Sequence, residues 1–210
     1  MMGKPTWWLL LCFGLFLLIA RTFAQNTNTP TPLYYQLLEE QSSGYYISNI
    51  KQDAGLADIY DADTLASLRF QFLIQPSISV GLDSVSGVLS TNARIDRDAT
   101  CPGLEICNVT LEIAVQPVQY FQIIKAVVTI LDMNDNTPTF PQPSIVKTIA
   151  ESADIGDTIV LPSAADEDSP TNGVTRYELQ GQDAWAFDLD SVQRLDGVNE
   201  VKLLLQVAFW

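Results

Sequence analysis

The run Asp132-Met133-Asn134-Asp135 packs carboxylate and amide side chains into four consecutive positions. Such a run is poor strand material, because its oxygens crowd and its like charges repel unless something bridges them. Ca²⁺ is the natural bridge, since it takes six to eight oxygen ligands from carboxylates, amides and backbone carbonyls. An EF-hand loop needs Gly at its sixth position and Glu at its twelfth. Counting from Asp132, those positions hold Thr137 and Pro143, and counting from Asp166 they hold Thr171 and Tyr177, so the EF-hand is excluded. The chain has no His at all, which also removes Ser-His-Asp and Cys-His catalysis and every imidazole metal site. What remains is an oxygen-only, hard-cation chemistry.

The rest of the chain must position that chemistry. Its 210 residues carry 25 acidic against 11 basic groups, a formal charge of −14. With no Lys/Arg cluster, no nucleic-acid partner is expected. A hydrophobic fraction of 47% with 10% aromatics is that of a folded chain, so the charge is held on a surface by water or by a cation. Residues 1–24 have the layout of a cleaved secretory leader: Lys4, an apolar run Trp7–Ala20, then Thr22-Phe23-Ala24 before Gln25. The run is shorter than the roughly 18–20 residues of a membrane span. Losing it removes two basic residues and one of the three cysteines, leaving Cys101 and Cys107 in an oxidising compartment where pairing is expected.

Gln25–Pro32 is a polar, Pro-punctuated lead. Beyond it, Tyr45–Ile50, Leu68–Ile74, Gly87–Leu89, Asn108–Val115 and Ile123–Leu131 are expected strands, rich in Ile, Val, Tyr, Phe and Thr. In Asn108–Val115 the apolar Val109, Leu111, Ile113 and Val115 alternate with Thr110, Glu112 and Ala114. No amphipathic helix of ten or more residues is evident, and strands at this spacing indicate an all-β, antiparallel sandwich. Leu82-Asp83-Ser84-Val85 recurs as Leu189-Asp190-Ser191-Val192, and Glu40 with Gly44 recurs as Glu151 with Gly156. Both echoes give a repeat of about 110 residues, with a boundary near Asn136–Phe140.

That boundary, Asp132-Met133-Asn134-Asp135-Asn136-Thr137-Pro138-Thr139-Phe140, resembles the inter-repeat linker of the cadherin superfamily at every specified position, Asp-x-Asn-Asp-Asn-x-Pro-x-Phe. Leu38-Glu39-Glu40 is similar to the family's first-strand acidic motif, and Ile95-Asp96-Arg97-Asp98 to its Asp-Arg-Glu motif with Asp98 in place of Glu. Ala165-Asp166-Glu167-Asp168, followed by Asn172-Gly173 and Tyr177, is similar to the second repeat's Asp-x-Asp region. The resemblance spans residues 33–209. It implies tandem seven-stranded Greek-key β-sandwiches, repeat 1 over residues 33–136 and repeat 2 over 137–210, the second incomplete. It also implies a Ca²⁺ cage at the joint. Glu40, Asp96, Asp98 and Asp135 would be carboxylate ligands, with Glu39 as an addition. Asp132 and Asn134 would add side-chain oxygens, and Met133 and Asn172 would act through backbone carbonyls. Asn136 belongs to the same linker, and Asp166 and Asp168 would close the cage. Asp98 is one methylene shorter than the family's Glu, which shortens its reach.

Cys101-(x5)-Cys107 resembles the short disulfide loop of the protocadherin branch. Cadherins that dimerise by inserting an N-terminal Trp have no counterpart here, since Trp7 and Trp8 lie in the leader and only Trp185 and Trp210 follow it. Asn108-Val109-Thr110 is an N-glycosylation sequon. The function these features imply is Ca²⁺-dependent, homophilic cell–cell adhesion. The partner would be a cadherin-family ectodomain on an opposing cell, and the location the extracellular side of the plasma membrane in a longer parent. Two alternatives are a secreted, truncated fragment acting as a soluble ligand or antagonist, and a partial product without function. A carboxylate-pair hydrolase lacks the convergent cleft such chemistry needs, so the chain is not expected to be an enzyme. Where the family would continue into Leu-Asp-Arg-Glu, this sequence has Gln206–Trp210, and Leu203–Trp210 is expected to form an exposed, aggregation-prone apolar end.

Overall fold

The computed structural model describes residues 31–193 and 199–208, so the leader at 1–24, most of the lead at 25–32, and Trp210 lie outside the described residues. From Pro32 onward the chain forms one compact unit. Its regular structure is mostly strand: β1 (Leu33–Leu38), β2 (Tyr46–Asn49), β3 (Arg69–Phe72), β4 (Val80–Leu82), β5 (Val88–Thr91), β6 (Cys107–Gln116), β7 (Gln122–Leu131), β8 (Thr158–Leu161), β9 (Phe187–Gln193) and β10 (Asn199–Leu205). The sequence alternation in β6 does what a period of two requires. Val109, Leu111, Ile113 and Val115 are buried, while Asn108 and Thr110 stand on the other face in solvent.

The first seven strands make two sheets, ordered β1-β7-β6-β3 and β2-β5-β4. Their inner faces share one core that includes Leu37, Phe70, Leu89, Leu111, Ile113 and Val128, each at most 2% exposed. One strand departs from the expected antiparallel pattern. β1 lies parallel to β7, from Leu33 opposite Ala126 to Leu38 opposite Leu131. The two are remote in sequence, so no tight turn dictates their relative direction. The helix expectation holds among the described residues, with single helical turns at Ile50–Asp53, Leu56–Ile59, Ala62–Ser67 and Arg97–Thr100. Asn49 and Asp61 cap two of them by accepting from the backbone N–H groups of Gln52 and Thr64 at 3.2 and 2.8 Å.

The sequence echo has a structural counterpart. The sheet β8-β10-β9 repeats the strand order and antiparallel sense of β2-β5-β4. Just before β2, Gly44 has φ 83° and donates its N–H to the Thr91 carbonyl at the end of β5. Just before β8, Gly156 has φ 94° and donates to the Leu205 carbonyl at the end of β10. Both glycines enter the left-handed region where a Cβ is strained. Gly44→Ala and Gly156→Ala are each expected to cost about 1–2 kcal/mol, read as a fall in the urea midpoint at unchanged slope. An unchanged midpoint would remove the glycines as determinants of the repeat.

The expected exposed end is corrected at Leu203–Leu205, which lie in β10, the central strand of its sheet, flanked by β8 and β9, while Phe209 and Trp210 of that expectation lie outside the described residues. Val201 and Leu205 are 2% and 0% exposed, and Leu203 and Leu204 are half-buried. Pairing on both sides accounts for the leucine run that the sequence alone made look like an exposed apolar end. Among the described residues no helix is long and apolar enough to cross a membrane.

Candidate metal centre

The parallel pairing of β1 with β7 is what assembles the site. It sets Leu38 beside Leu131, so the next residues, Glu39 and Asp132, leave the sheet side by side, and Glu39 N–H still bonds the Leu131 carbonyl at 3.0 Å. The Glu39 side chain is 1% exposed and spans two segments. Its Oε1 accepts from Met133 N–H at 2.8 Å and its Oε2 from Arg97 N–H at 2.6 Å. Asp96 caps the turn Arg97–Thr100 through Ala99 N–H, which fixes Asp98 one residue into that turn.

Two carboxylate groups result, joined by Asp98. Oxygens of Glu39, Asp96 and Asp98 lie within 4.8 Å of one another, and so do oxygens of Asp98, Asp132 and Asp168. The guanidinium of Arg97, on a side chain 1% exposed, sits among them. It pairs with Asp98 at 2.9 Å and Asp132 at 3.3 Å, and donates to the Leu104 carbonyl inside the loop closed by the Cys101–Cys107 disulfide. Asn136 Nδ2 donates to Asp98 at 2.9 Å, Asp168 at 2.8 Å and Asp135 at 3.3 Å. From the segment after the acidic linker, the second of the two that meet here, Ser169 donates to Asp132 through both N–H and Oγ, at 3.0 and 2.8 Å, and Asn172 donates through Nδ2 at 2.6 Å.

Burial pushes the Glu39 carboxyl up against the two backbone N–H groups that favour its charge, and the negative Asp98 and Asp135 add to the rise. Burial likewise raises Asp98, with Asp132 and Asp168 adding to it and Arg97 opposing. In Asp132 burial also acts upward, but the Ser169 and Asn172 donors with the Arg97 guanidinium outweigh it, so its carboxyl lies below the ordinary range.

The donor set fits a hard divalent cation. Every grouped ligand is a carboxylate oxygen, which suits Ca²⁺ over softer metals. Asp168 Oδ2 is buried with no hydrogen-bond partner, a costly state that a cation would relieve. One Arg97 charge pairs with Asp98 and Asp132 and leaves Asp168 without a cationic partner among the described ion pairs, and the Asn136 amide donates where Asp98, Asp135 and Asp168 converge.

Of the sequence candidates, Glu39, Asp96, Asp98, Asp132 and Asp168 are grouped in this way. Met133, Asp135 and Asn136 are joined to them by hydrogen bonds. Glu40 is placed elsewhere, in the left-handed region with φ 64° and ion-paired to exposed Arg94. Asp166 accepts from Asp168 N–H at 3.1 Å. Asn134 donates to the Asn172 carbonyl at 3.1 Å, so that carbonyl is engaged within the protein. Two residues escaped sequence reasoning. Arg97 stood inside the quoted Asp-Arg-Asp triplet as an unassigned cation, and Ser169 directly follows Asp168 with nothing in its type to set it apart.

A family profile described as cadherin-like matches residues 32–117. The chain is 33% identical to human protocadherin-10 over 201 residues, covering 94% of this chain and 18% of that protein. It is 30% identical to mouse protocadherin 18 over 195 residues, covering 92% of this chain and 17% of that protein. It therefore spans less than a fifth of these relatives. Among solved structures, three extracellular domains (EC1-3) of protocadherin gamma C5 align with a TM-score of 0.71 at 30% identity, covering 85% of this chain and 55% of that one. The protocadherin gamma B4 extracellular domain aligns with a TM-score of 0.72 at 26% identity, covering 85% and 27%.

Proposed function

Because this chain belongs to the cadherin superfamily and is protocadherin-like, we propose that it is the membrane-distal part of an extracellular, Ca²⁺-dependent adhesion protein. Its repeats are residues 33–136 and 137–210, and its partner is a cadherin-family ectodomain on an opposing cell, bound homophilically. The parent acts at the extracellular side of the plasma membrane, and recognition rather than catalysis is its work.

The observation that carries this reading is the convergence of Asp98, Asp132 and Asp168, with Asp168 Oδ2 buried and unpartnered. Glu39, Asp96, Asp98, Asp132, Asp135 and Asp168 would hold the metal. Asn134, Asn136, Asp166 and the Met133 carbonyl would complete the shell, the Asn172 carbonyl would join it on giving up its bond from Asn134, and Glu40 would stand at its rim beside Arg94. Bound Ca²⁺ supplies positive charge that ties the carboxylates of the two segments together, so metal binding becomes stability of the joint. Arg97 keeps Asp98 and Asp132 together on the first segment's side, while Ser169 and Asn172 tether Asp132 to the second.

Limited proteolysis tests the proposal. Millimolar Ca²⁺ is expected to protect residues 130–140 against cleavage that chelator permits, leaving a resistant core of about residues 33–130 in chelator. Asp135→Ala should lose the protection and keep that core. Equal cleavage with and without Ca²⁺ in the wild type, or full protection of the Asp135→Ala protein, would sink the cage assignment.

A further inference from the structure

We propose that Asn108 carries an N-linked glycan that lies over the outer face of the sheet β1-β7-β6-β3. The sequon Asn108-Val109-Thr110 runs along β6, so Asn108 and Thr110 share the outer face and Val109 points into the core. Thr129 Oγ1 on neighbouring β7 donates to Asn108 Oδ1 at 2.7 Å. This contact holds the amide by its oxygen, and among the described hydrogen bonds its Nδ2 makes none. The acceptor atom for a sugar is thus both oriented and unengaged.

The surrounding face is mixed, with Gln36, Thr129 and the Glu112–Lys125 ion pair, but it sets three exposed apolar side chains near Asn108. In register with Asn108 are Thr129 and then Gln36. To one side lies the pair Leu38–Leu131, 40% and 38% exposed, and to the other the row Thr110, Val127, Tyr34, with Tyr34 70% exposed. Tyr34 stands two strands from the Asn108 column, about 10 Å at ordinary strand spacing. Sugar rings carry apolar faces that pack on aromatic and aliphatic side chains, so a glycan rooted at Asn108 has Tyr34, Leu38 and Leu131 within its sweep. These exposed apolar side chains flank the Asn108 row on both sides, so a glycan rooted there can cover them.

Attachment balances as a simple transfer. Asn108 Nδ2 bonds the anomeric carbon of a lipid-diphosphate-linked oligosaccharide, whose carbon–oxygen bond to phosphate breaks. The lipid diphosphate leaves with the bonding pair and Nδ2 gives up one proton. The inference rests on the extracellular reading above, and it implies that partner contacts of this module lie away from the four-stranded sheet.

The test is secretion of the chain from eukaryotic cells, behind its own first 24 residues and, in parallel, behind an unrelated secretory leader, followed by peptide mapping with and without amidase release of N-glycans. The Asn108 peptide should be modified in the wild type and in Thr110→Ser, and bare in Thr110→Val, which keeps a β-branched residue in the strand. Glycan release should raise iodination of Tyr34 severalfold and leave Tyr46, 58% exposed on β2, unchanged. A bare Asn108 in the secreted wild type overturns the proposal, as does Tyr34 labelling that ignores the glycan. An occupied Asn108 in a protein whose linker gains no Ca²⁺ protection would refute the adhesion reading and leave this one standing.

Discussion

Replacing Arg97 by Met is expected to destabilise the Ca²⁺-free protein by about 3–5 kcal/mol, the range for breaking a buried charge pair by removing one partner. The guanidinium side chain is 1% exposed and those of Asp98 and Asp132 are 5% and 10% exposed, so water cannot take its place. Burial already raises the Asp98 carboxyl and Arg97 opposes that rise, so losing Arg97 strands a buried carboxylate whose ionised form is disfavoured. The Leu104 carbonyl loses a donor in the same step. Urea denaturation in chelator reads the loss as a lower midpoint. Added Ca²⁺ should restore part of it, because a cation among the same carboxylates replaces the missing charge but cannot donate to Leu104. Arg97→Lys, which keeps the charge without the planar fork, should fall between the two. A midpoint unmoved by Arg97→Met would mean that the carboxylates are held apart by the backbone alone, and the assignment of Arg97 as their resident counter-charge would be wrong.

The way this site came together shows what a sequence does and does not disclose. The strand β6 was legible because burial on one face forces its alternation of Val109, Leu111, Ile113 and Val115 against Asn108 and Thr110. The acidic linker was legible because so many oxygens in so few residues need a reason. The turns between Ile50 and Ser67 were not, since each is four to six residues long and too short to show a helical period. The parallel register of β1 on β7 was also hidden, as it depends on residues about 90 positions apart. That register selects Glu39 over Glu40 as the buried carboxylate. The resembled motif put Glu40 first and Glu39 as an addition, whereas the direction in which the chain leaves β1 separates them in space: Glu39 continues the ladder inward, while Glu40 turns to a positive φ and faces Arg94. The β10 leucines were misjudged for the same reason, since a central and an edge strand differ by their neighbours and not by their own residues.

Asp168→Asn should move stability in opposite directions with and without metal. In the Ca²⁺-free protein the wild-type carboxylate is buried, its Oδ2 has no partner, and it shares a space of 4.8 Å with two further carboxylates. Removing its charge relieves that repulsion. The new amide hydrogens can donate to Asp98 or Asp132, and the retained Oδ1 can still accept from Asn136 N–H and Nδ2, now at 3.2 and 2.8 Å. A gain of about 1–3 kcal/mol in chelator follows from ending one unsatisfied buried group. With Ca²⁺ the sign reverses. At a free concentration 100 to 1,000 times its dissociation constant, a ligand that binds only the folded state adds about 3–4 kcal/mol, and a variant short of one carboxylate should forfeit most of that addition. Paired urea titrations in chelator and in Ca²⁺ would therefore cross: the variant more stable in the first, the wild type in the second. Such a crossing separates a metal ligand from a structural residue, since a residue that only packs the joint would lose stability in both. Loss in both conditions would make Asp168 part of the fold and not of a metal site, and gain in both would mean that no cation reaches it.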